Sequence, residues 1–218
     1  MRLVIGNKAL SSWSMRPWVL MRALGVSFEE MLIRLDRPET RGQIREHSPS
    51  GLVPCLVLDD GSAVWDSLAI IEALAEDHPG AYPGAYPGIW PDDPAHRRLA
   101  RCLCAEMHSG FSTLRTVWPM DLTVERAGLA TPLGVRRDLE RVFALWEQAL
   151  AASGGPFLFG GFGAADAMFA PVVTRIRTYG PVPMPQALSD YAGRVWTHEA
   201  VAAWREGAAR EVADGWYA

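Results

Sequence analysis

Gly51-Leu52-Val53-Pro54-Cys55-Leu56-Val57-Leu58, followed after the turn Asp59-Asp60-Gly61 by Trp65-Asp66-Ser67-Leu68-Ala69-Ile70-Ile71, is the stretch that decides the fold. A Val-Pro step enters an apolar strand, the turn reverses the chain, and Asp66-Ser67 opens an amphipathic helix. Proline has no N–H, so at the start of a strand it leaves the backbone of the residue before it free for another partner. Asp-Ser at a helix N-terminus sets a carboxylate, a hydroxyl and unpaired N–H groups side by side. Each element alone also reads as a proline opening a strand and an ordinary N-cap. In close succession they suit a small peptide-like ligand that carries an ammonium group and carboxylates.

Outward from this stretch, the first 78 residues alternate strand and helix signals. Arg2 to Gly6 reads as a short apolar strand. Ser11 to Gly25 reads as a helix with Trp18, Val19, Met21 and Leu24 apolar, stopped by glycine. Phe28 to Leu35 is a second strand, Pro38 to His47 a short polar helix, Val53 to Leu58 a third strand and Ser62 to Trp65 a fourth. Asp66 to Asp77 closes the unit as a helix with Leu68, Ile71 and Leu74 or Ala75 inward. This order predicts one small mixed sheet covered by helices.

Residues 79–91 form a Pro/Gly-rich segment in which Pro-Gly-Ala-Tyr occurs twice in succession, the composition of a linker or exposed loop. From residue 92 to 218 the pattern is helical. Ala95 to Arg115 and Val135 to Ala152 are long amphipathic helices, the second with Leu139, Val142, Phe143, Trp146 and Leu150 on one face. Ala164 to Tyr179 is the most apolar helix and is expected at the centre. Gln186 to His198 and Val201 to Val212 complete the chain. The sequence thus predicts an α/β unit (1–78), a linker (79–91) and an all-α unit (92–218).

Hydrophobic residues make up 49% of the 218 and charged residues 21%, which supplies a full core and excludes global disorder. A net charge of −4 argues against nucleic acid or an anionic membrane as the main partner. Cys55, Cys102 and Cys104 make neither a disulfide framework nor a metal-ligand pattern, so no metal is expected, and the setting expected is the reducing cytoplasm. The longest apolar run, Phe157 to Val173, contains Asp166 and Pro171 and reads as a buried helix with its approach loop, not a membrane span.

The first strand-to-helix junction, Gly6-Asn7-Lys8-Ala9-Leu10-Ser11-Ser12-Trp13-Ser14-Met15-Arg16-Pro17, crowds three serines at a helix N-terminus, where unpaired N–H groups and the macrodipole favour negative charge. One serine is explained as an N-cap. A hydroxyl there also serves to donate to a ligand thiolate and lower its pKa from the ordinary value of about 8.5. No histidine precedes residue 47 and no Gly-x-Ser-x-Gly elbow occurs, which disfavours a serine hydrolase.

With these residues in view, the chain resembles a glutathione transferase: a thioredoxin-like N-terminal domain followed by an all-helical C-terminal domain. Ser-Ser-Trp-Ser-x-Arg-Pro-Trp at 11–18, Ser-Pro-Ser-Gly-Leu-Val-Pro at 48–54 and Trp-Asp-Ser-Leu-Ala-Ile at 65–70 stand in the family's order and spacing. The resemblance continues through Trp90-Pro91-Asp92-Asp93-Pro94 and Ala165-Asp166-Ala167-Met168-Phe169-Ala170-Pro171. Among subclasses the chain is similar to bacterial serine-type and zeta-like members.

The resemblance implies that Ser11, five before Arg16, is the catalytic serine, with Ser12 the close competitor. It implies that Val53 pairs its backbone with the cysteinyl part of glutathione beside a cis Pro54, and that Asp66 and Ser67 hold the γ-glutamyl end. An electrophile site between the domains would draw on Glu106, His108, Phe111, Arg115 and Trp118, with His108 also readable as a surface histidine bonded to a neighbour. Glutathione as co-substrate, a small electrophile and a homodimer follow from the same resemblance.

Two departures stand out. Leu52 occupies the place where many relatives carry a lysine, arginine or glutamine that reaches the glycyl carboxylate, leaving Arg41, Arg45 or Lys8 to replace it. Gly163 stands where relatives often have Ser or Thr, while Asp166 remains to bond backbone N–H groups of its helix. The expected function is a glutathione transferase that activates the glutathione thiolate for attack on an electrophile. The alternatives are a zeta-type isomerase of the maleylacetoacetate kind, against which Trp13 stands in place of the usual cysteine, and a non-catalytic binding protein on the same fold. A thiol–disulfide reductase of the omega kind would need a cysteine at position 11.

Overall fold

Leu3, Val4 and Ile5 are fully buried because β1 (Arg2–Gly6) lies inside a sheet. The computed structural model describes residues 1–77, 88–128 and 130–217. β1 pairs in parallel with β2 (Glu29–Ile33) and antiparallel with β3 (Cys55–Val57), which pairs antiparallel with β4 (Ala63–Trp65). The order β2-β1-β3-β4 is the mixed sheet expected. Between these strands run α1 (Ser12–Ala23) and α2 (Thr40–Arg45), and α3 (Ser67–Asp77) follows β4. The expected linker, 79–91, lies mostly outside the described residues, and so does its repeat.

The remainder is helical: α4 (Pro94–Ser109), α5 (Ser112–Val117), α6 (Leu133–Ser153), α7 (Ala164–Tyr179), α8 (Gln186–Thr197) and α9 (Glu199–Ala213). One expectation is corrected here. Ala95 to Arg115 is not a single helix: it breaks at Gly110, and Phe111 takes the left-handed conformation with φ 60. Apart from Gly110, the residues from 95 to 115 tolerate a helix locally, so periodicity alone gives little sign of the turn. Arg115 spans it, its Nε donating to the Gly110 carbonyl at 2.9 Å.

α7 is buried on nearly every side and packs on both α1 and α4. A single apolar cluster therefore runs from Leu3 and Ile5 through Trp18 and Ile70 to Trp146, Phe169 and Trp204. Each fully buried side chain of this size contributes about 1.5–3 kcal/mol. At the start of α7 the Asp166 carboxylate accepts from Leu158 N (3.1 Å) and Gly163 N (3.0 Å), so the helix is capped without the hydroxyl that Gly163 lacks. α9 ties back to the loop after β1: buried Glu211 accepts from Lys8 N (2.6 Å), Ala9 N (3.1 Å) and the Tyr217 hydroxyl (2.6 Å).

Candidate active site

A cavity of about 330 Å³ opens where the sheet side of the molecule meets the start of α1. Trp13, Ser50, Leu52, Val53, Pro54, Trp65, Asp66 and Ser67 line it. The Val53–Pro54 bond is cis, as the resemblance implies. Leu52 (69% exposed) and Trp65 (46%) form an apolar rim.

The N-terminus of α3 is held tightly. Asp66 sits at φ 81, a left-handed conformation that costs a non-glycine residue on the order of 1–3 kcal/mol unless its surroundings hold it. Its Oδ1 accepts from Leu68 N (2.8 Å) and Ala69 N (3.2 Å), an N-cap that satisfies two otherwise unpaired donors. Ser67 is fully buried, and its Oγ accepts from Arg16 Nη1 at 3.3 Å. The hydroxyl proton of Ser67 therefore stays available to a ligand.

The N-terminus of α1 is arranged differently. Ser11 is the N-cap residue, yet its side chain caps nothing. Its hydroxyl donates to Ser14 Oγ at 2.7 Å, and Ser14 also accepts from Gly6 N at 3.2 Å. Ser12 Oγ accepts from Arg175 Nη2 at 3.4 Å. Neither Ser11 nor Ser12 is among the lining residues of the cavity; Trp13 is.

Two guanidiniums lie over Trp13, and a third, Arg175, reaches Ser12 beside it in the chain. Arg16 lies over the Trp13 ring at 4.3 Å and Arg115 at 4.8 Å, and both donate to the Met107 carbonyl. Arg175 donates to the carbonyls of Trp118 and Pro171, each at 2.8 Å. Among the described residues none of the three joins an ion pair. Burial lowers all three pKa values, Arg175 to about 10, and the positive charge of Arg115 lowers Arg16 and Arg175 further.

His108, on α4, reaches the α3 corner. Its Nε2 lies 2.7 Å from Asp66 Oδ2, and its ring meets Trp13 edge-on at 5.1 Å. Burial holds the imidazole below the usual histidine pKa, and Arg16 and Arg115 act in the same direction against the pull of Asp66.

The structure gathers some of the sequence candidates and disperses others. Val53, Pro54, Asp66 and Ser67 share the cavity; His108 and Arg115 meet at Trp13. Phe111 is buried at the start of α5, and Trp118 stacks on Tyr179 in the core at 5.1 Å. Glu106 pairs with Arg141 at 2.6 Å. Lys8 is caged by Glu30 (2.5 Å) and the rings of Trp18 and Trp204, with room for its chain supplied by Gly207, so it cannot replace the anchor missing at Leu52. Sequence reasoning misses Trp13 and Arg175 as residues of the site. An arginine inside the most apolar helix of the chain is the available signal for Arg175. Among the described residues no three His, Cys, Asp or Glu side chains cluster as metal ligands, and no helix is long and apolar enough to cross a membrane.

A small mixed sheet bearing a cis-proline corner and a capped helix, packed on an all-helical unit, defines a thioredoxin-like two-part architecture. Residues 10–77 match the family of the glutathione S-transferase N-terminal domain and residues 123–216 that of its C-terminal domain, so the chain belongs to the glutathione S-transferase family. A probable maleylacetoacetate isomerase of Caenorhabditis elegans is 31% identical over 112 residues, which are 51% of this chain and 49% of that one. The chain thus spans about half the length of that relative. A glutathione transferase homolog from Burkholderia, solved with bound glutathione, is similar in fold with TM-score 0.71 and 24% identity over 96% of this chain and 98% of that one. A maleyl pyruvate isomerase described as a bacterial zeta-class member has TM-score 0.70 and 22% identity over 95% and 98%.

Proposed function

We propose that the chain is a glutathione transferase whose first unit, 1–78, binds glutathione and whose helical unit, 92–218, receives the electrophile. The observation that carries this reading is the cavity joining Val53, the cis Pro54, Asp66 and Ser67 to the start of α1. Its volume falls within the range of about 300–1,000 Å³ typical of small-molecule sites. The donor set fits the tripeptide: a carboxylate at Asp66 for the ammonium, a free hydroxyl proton at Ser67 for the γ-glutamyl carboxylate, and the Val53 backbone for the cysteinyl part. Arg45, whose Nε lies 3.6 Å from where a Cβ on Gly51 would stand, takes the glycyl carboxylate in place of the residue missing at Leu52.

Glutathione, when bound, supplies the nucleophilic sulfur. Ser12 is the serine we assign to its thiolate, because Ser12 accepts from Arg175 and keeps its own proton to donate, whereas the Ser11 proton is spent on Ser14. The α1 N-terminus and the three guanidiniums add positive potential where the anion would sit. A cytoplasmic homodimer is part of the same reading and rests on the family resemblance.

A second reading, a zeta-type isomerase of an unsaturated acid, is favoured by the arginines over Trp13, which suit a carboxylate-bearing acceptor, and by the partial match to the nematode isomerase.

Glutathione titration by tryptophan fluorescence, with thiolate absorbance followed across pH, tests both the reading and the serine. Saturable binding with a depressed thiol pKa that Ser12→Ala abolishes and Ser11→Ala keeps is the expected result. The reverse pattern assigns Ser11. No binding up to about 10 mM, weaker than an affinity of about −4 kcal/mol, leaves a non-catalytic scaffold.

A further inference from the structure

His108 lies on α4, 42 positions along the chain from Asp66, yet the two side chains meet at the cavity wall. Asp66 uses its two oxygens for different tasks. Oδ1 is fixed by the backbone of α3, and Oδ2 faces His108. A carboxylate expected to receive an ammonium is therefore already engaged by an imidazole, and the protonation state of that ring decides whether the two compete. A protonated ring would form an ion pair and cancel the charge the ammonium needs. A neutral ring donating Nε2–H fixes the carboxylate but leaves its charge intact.

The surroundings favour the neutral ring. Arg16 from α1 and Arg115 from α5 face His108 along with the Trp13 ring, while Asp66 is the opposing carboxylate. Burial and the two guanidiniums outweigh Asp66 and hold the ring below the usual histidine range.

We propose that His108 is a positioning residue for glutathione: as a neutral donor it aims the Asp66 carboxylate at the γ-glutamyl ammonium without cancelling its charge. The proposal rests on the glutathione reading above. Acid converts this aid into competition, so affinity for the ammonium-bearing ligand falls as His108 takes up a proton. Two interactions then share one carboxylate, an arrangement in which His108 and the ligand ammonium are reciprocally linked.

The test is the dissociation constant of glutathione, by tryptophan fluorescence, from about pH 8 down to about pH 5, with folding checked by circular dichroism at each pH. It is run on wild type, His108→Gln and His108→Ala, and repeated with a glutathione analogue lacking the γ-glutamyl amino group. Wild-type affinity for glutathione is expected to weaken below the histidine range by up to about tenfold per pH unit, while the analogue shows no such step. His108→Gln keeps an N–H donor without a titration, so it should hold neutral-pH affinity within about threefold and flatten the acid limb. His108→Ala should weaken neutral-pH affinity by about tenfold, the scale of one lost hydrogen bond to a charged group. A flat wild-type profile, an acid limb that survives His108→Gln, or an equal limb for the analogue overturns the role of His108 alone. Absence of wild-type binding at neutral pH overturns the glutathione reading itself and this role with it.

Discussion

The N-termini of α1 and α3 present the same kind of signal, short polar residues at the head of an amphipathic helix, and the structure uses them in opposite ways. At α3 the side chain of Asp66 closes on N–H groups two and three residues ahead, and the same residue faces the cavity. At α1 the N-cap serine closes on another side chain, the next serine meets an arginine 163 positions away, and the residue that lines the cavity is Trp13. What is local at either head, the Asp66 cap and the Ser11–Ser14 bond, lies within reach of a sequence reading. What comes from other helices, Arg175 to Ser12 and His108 to Asp66, does not.

The start of α7 is the severest test of the idea that a capping carboxylate alone fixes a helix head. Asp166 is buried and bonds two backbone N–H groups that no hydroxyl at position 163 can reach. Asp166→Ala leaves both unpaired and should cost about 3 kcal/mol in urea unfolding, from about 1–3 kcal/mol for each buried donor. Its pH dependence has a definite sign. Burial raises the carboxyl to about 6 from an ordinary 3.8, so the folded state binds the proton more tightly than the unfolded one. The contribution of this group is full below the unfolded value and is lost as pH rises through the folded one. Wild type should therefore gain stability relative to Asp166→Asn between pH 7 and about pH 5; an equal or opposite trend would show that Asp166 does not titrate in this window.

Asp66 separates capping from binding at α3. Asn is as good an N-cap as Asp, so Asp66→Asn should leave unfolding nearly unchanged while weakening glutathione binding by about tenfold, or about 1.4 kcal/mol. A matched loss of stability and affinity would mean that the carboxylate is only structural, and α3 would then resemble α1 more than the cavity geometry indicates.

The legible part of the molecule follows the same division. The apolar run of β1, the amphipathic face of α6 and the apolar length of α7 are readable because runs and helical period report burial directly. The Val53–Pro54 step and the Asp66 cap are readable because they are local, whereas the bonds from His108 to Asp66 and from Arg16 to Ser67 are not. The break at Phe111 is not, since Gly110 is a weak signal inside an otherwise helical run. The clustering of Arg16, Arg115 and Arg175 is not either, because three helices bring them together and no spacing in the sequence encodes it.

Ser14 probes the α1 side of the comparison. It is fully buried and accepts from both Gly6 N and the Ser11 hydroxyl. Ser14→Ala should cost about 1–2 kcal/mol in unfolding and free the Ser11 proton. If Ser12 is the residue that serves the thiolate, the thiol pKa of bound glutathione should hardly change in this variant. A marked further depression would bring Ser11 into play.

The smallest effect concerns the rim of the cavity, beside the head of α3. Leu52 is exposed and uncharged, while the Arg45 side chain stands against Gly51. Arg45→Ala should weaken glutathione binding by about three- to tenfold, the scale of one partly exposed charge-assisted contact. Leu52→Lys places an ammonium at the rim and should tighten binding by about two- to threefold, the modest return of an exposed ion pair. In the double variant, the Leu52→Lys change should recover most of what Arg45→Ala loses if both cations serve one carboxylate. Independent, additive changes in a double-mutant cycle would instead place Arg45 away from the ligand. Raised salt should diminish the gain from Leu52→Lys more than it affects Asp66→Asn, because a rim charge is screened and a carboxylate at the cavity wall is screened less.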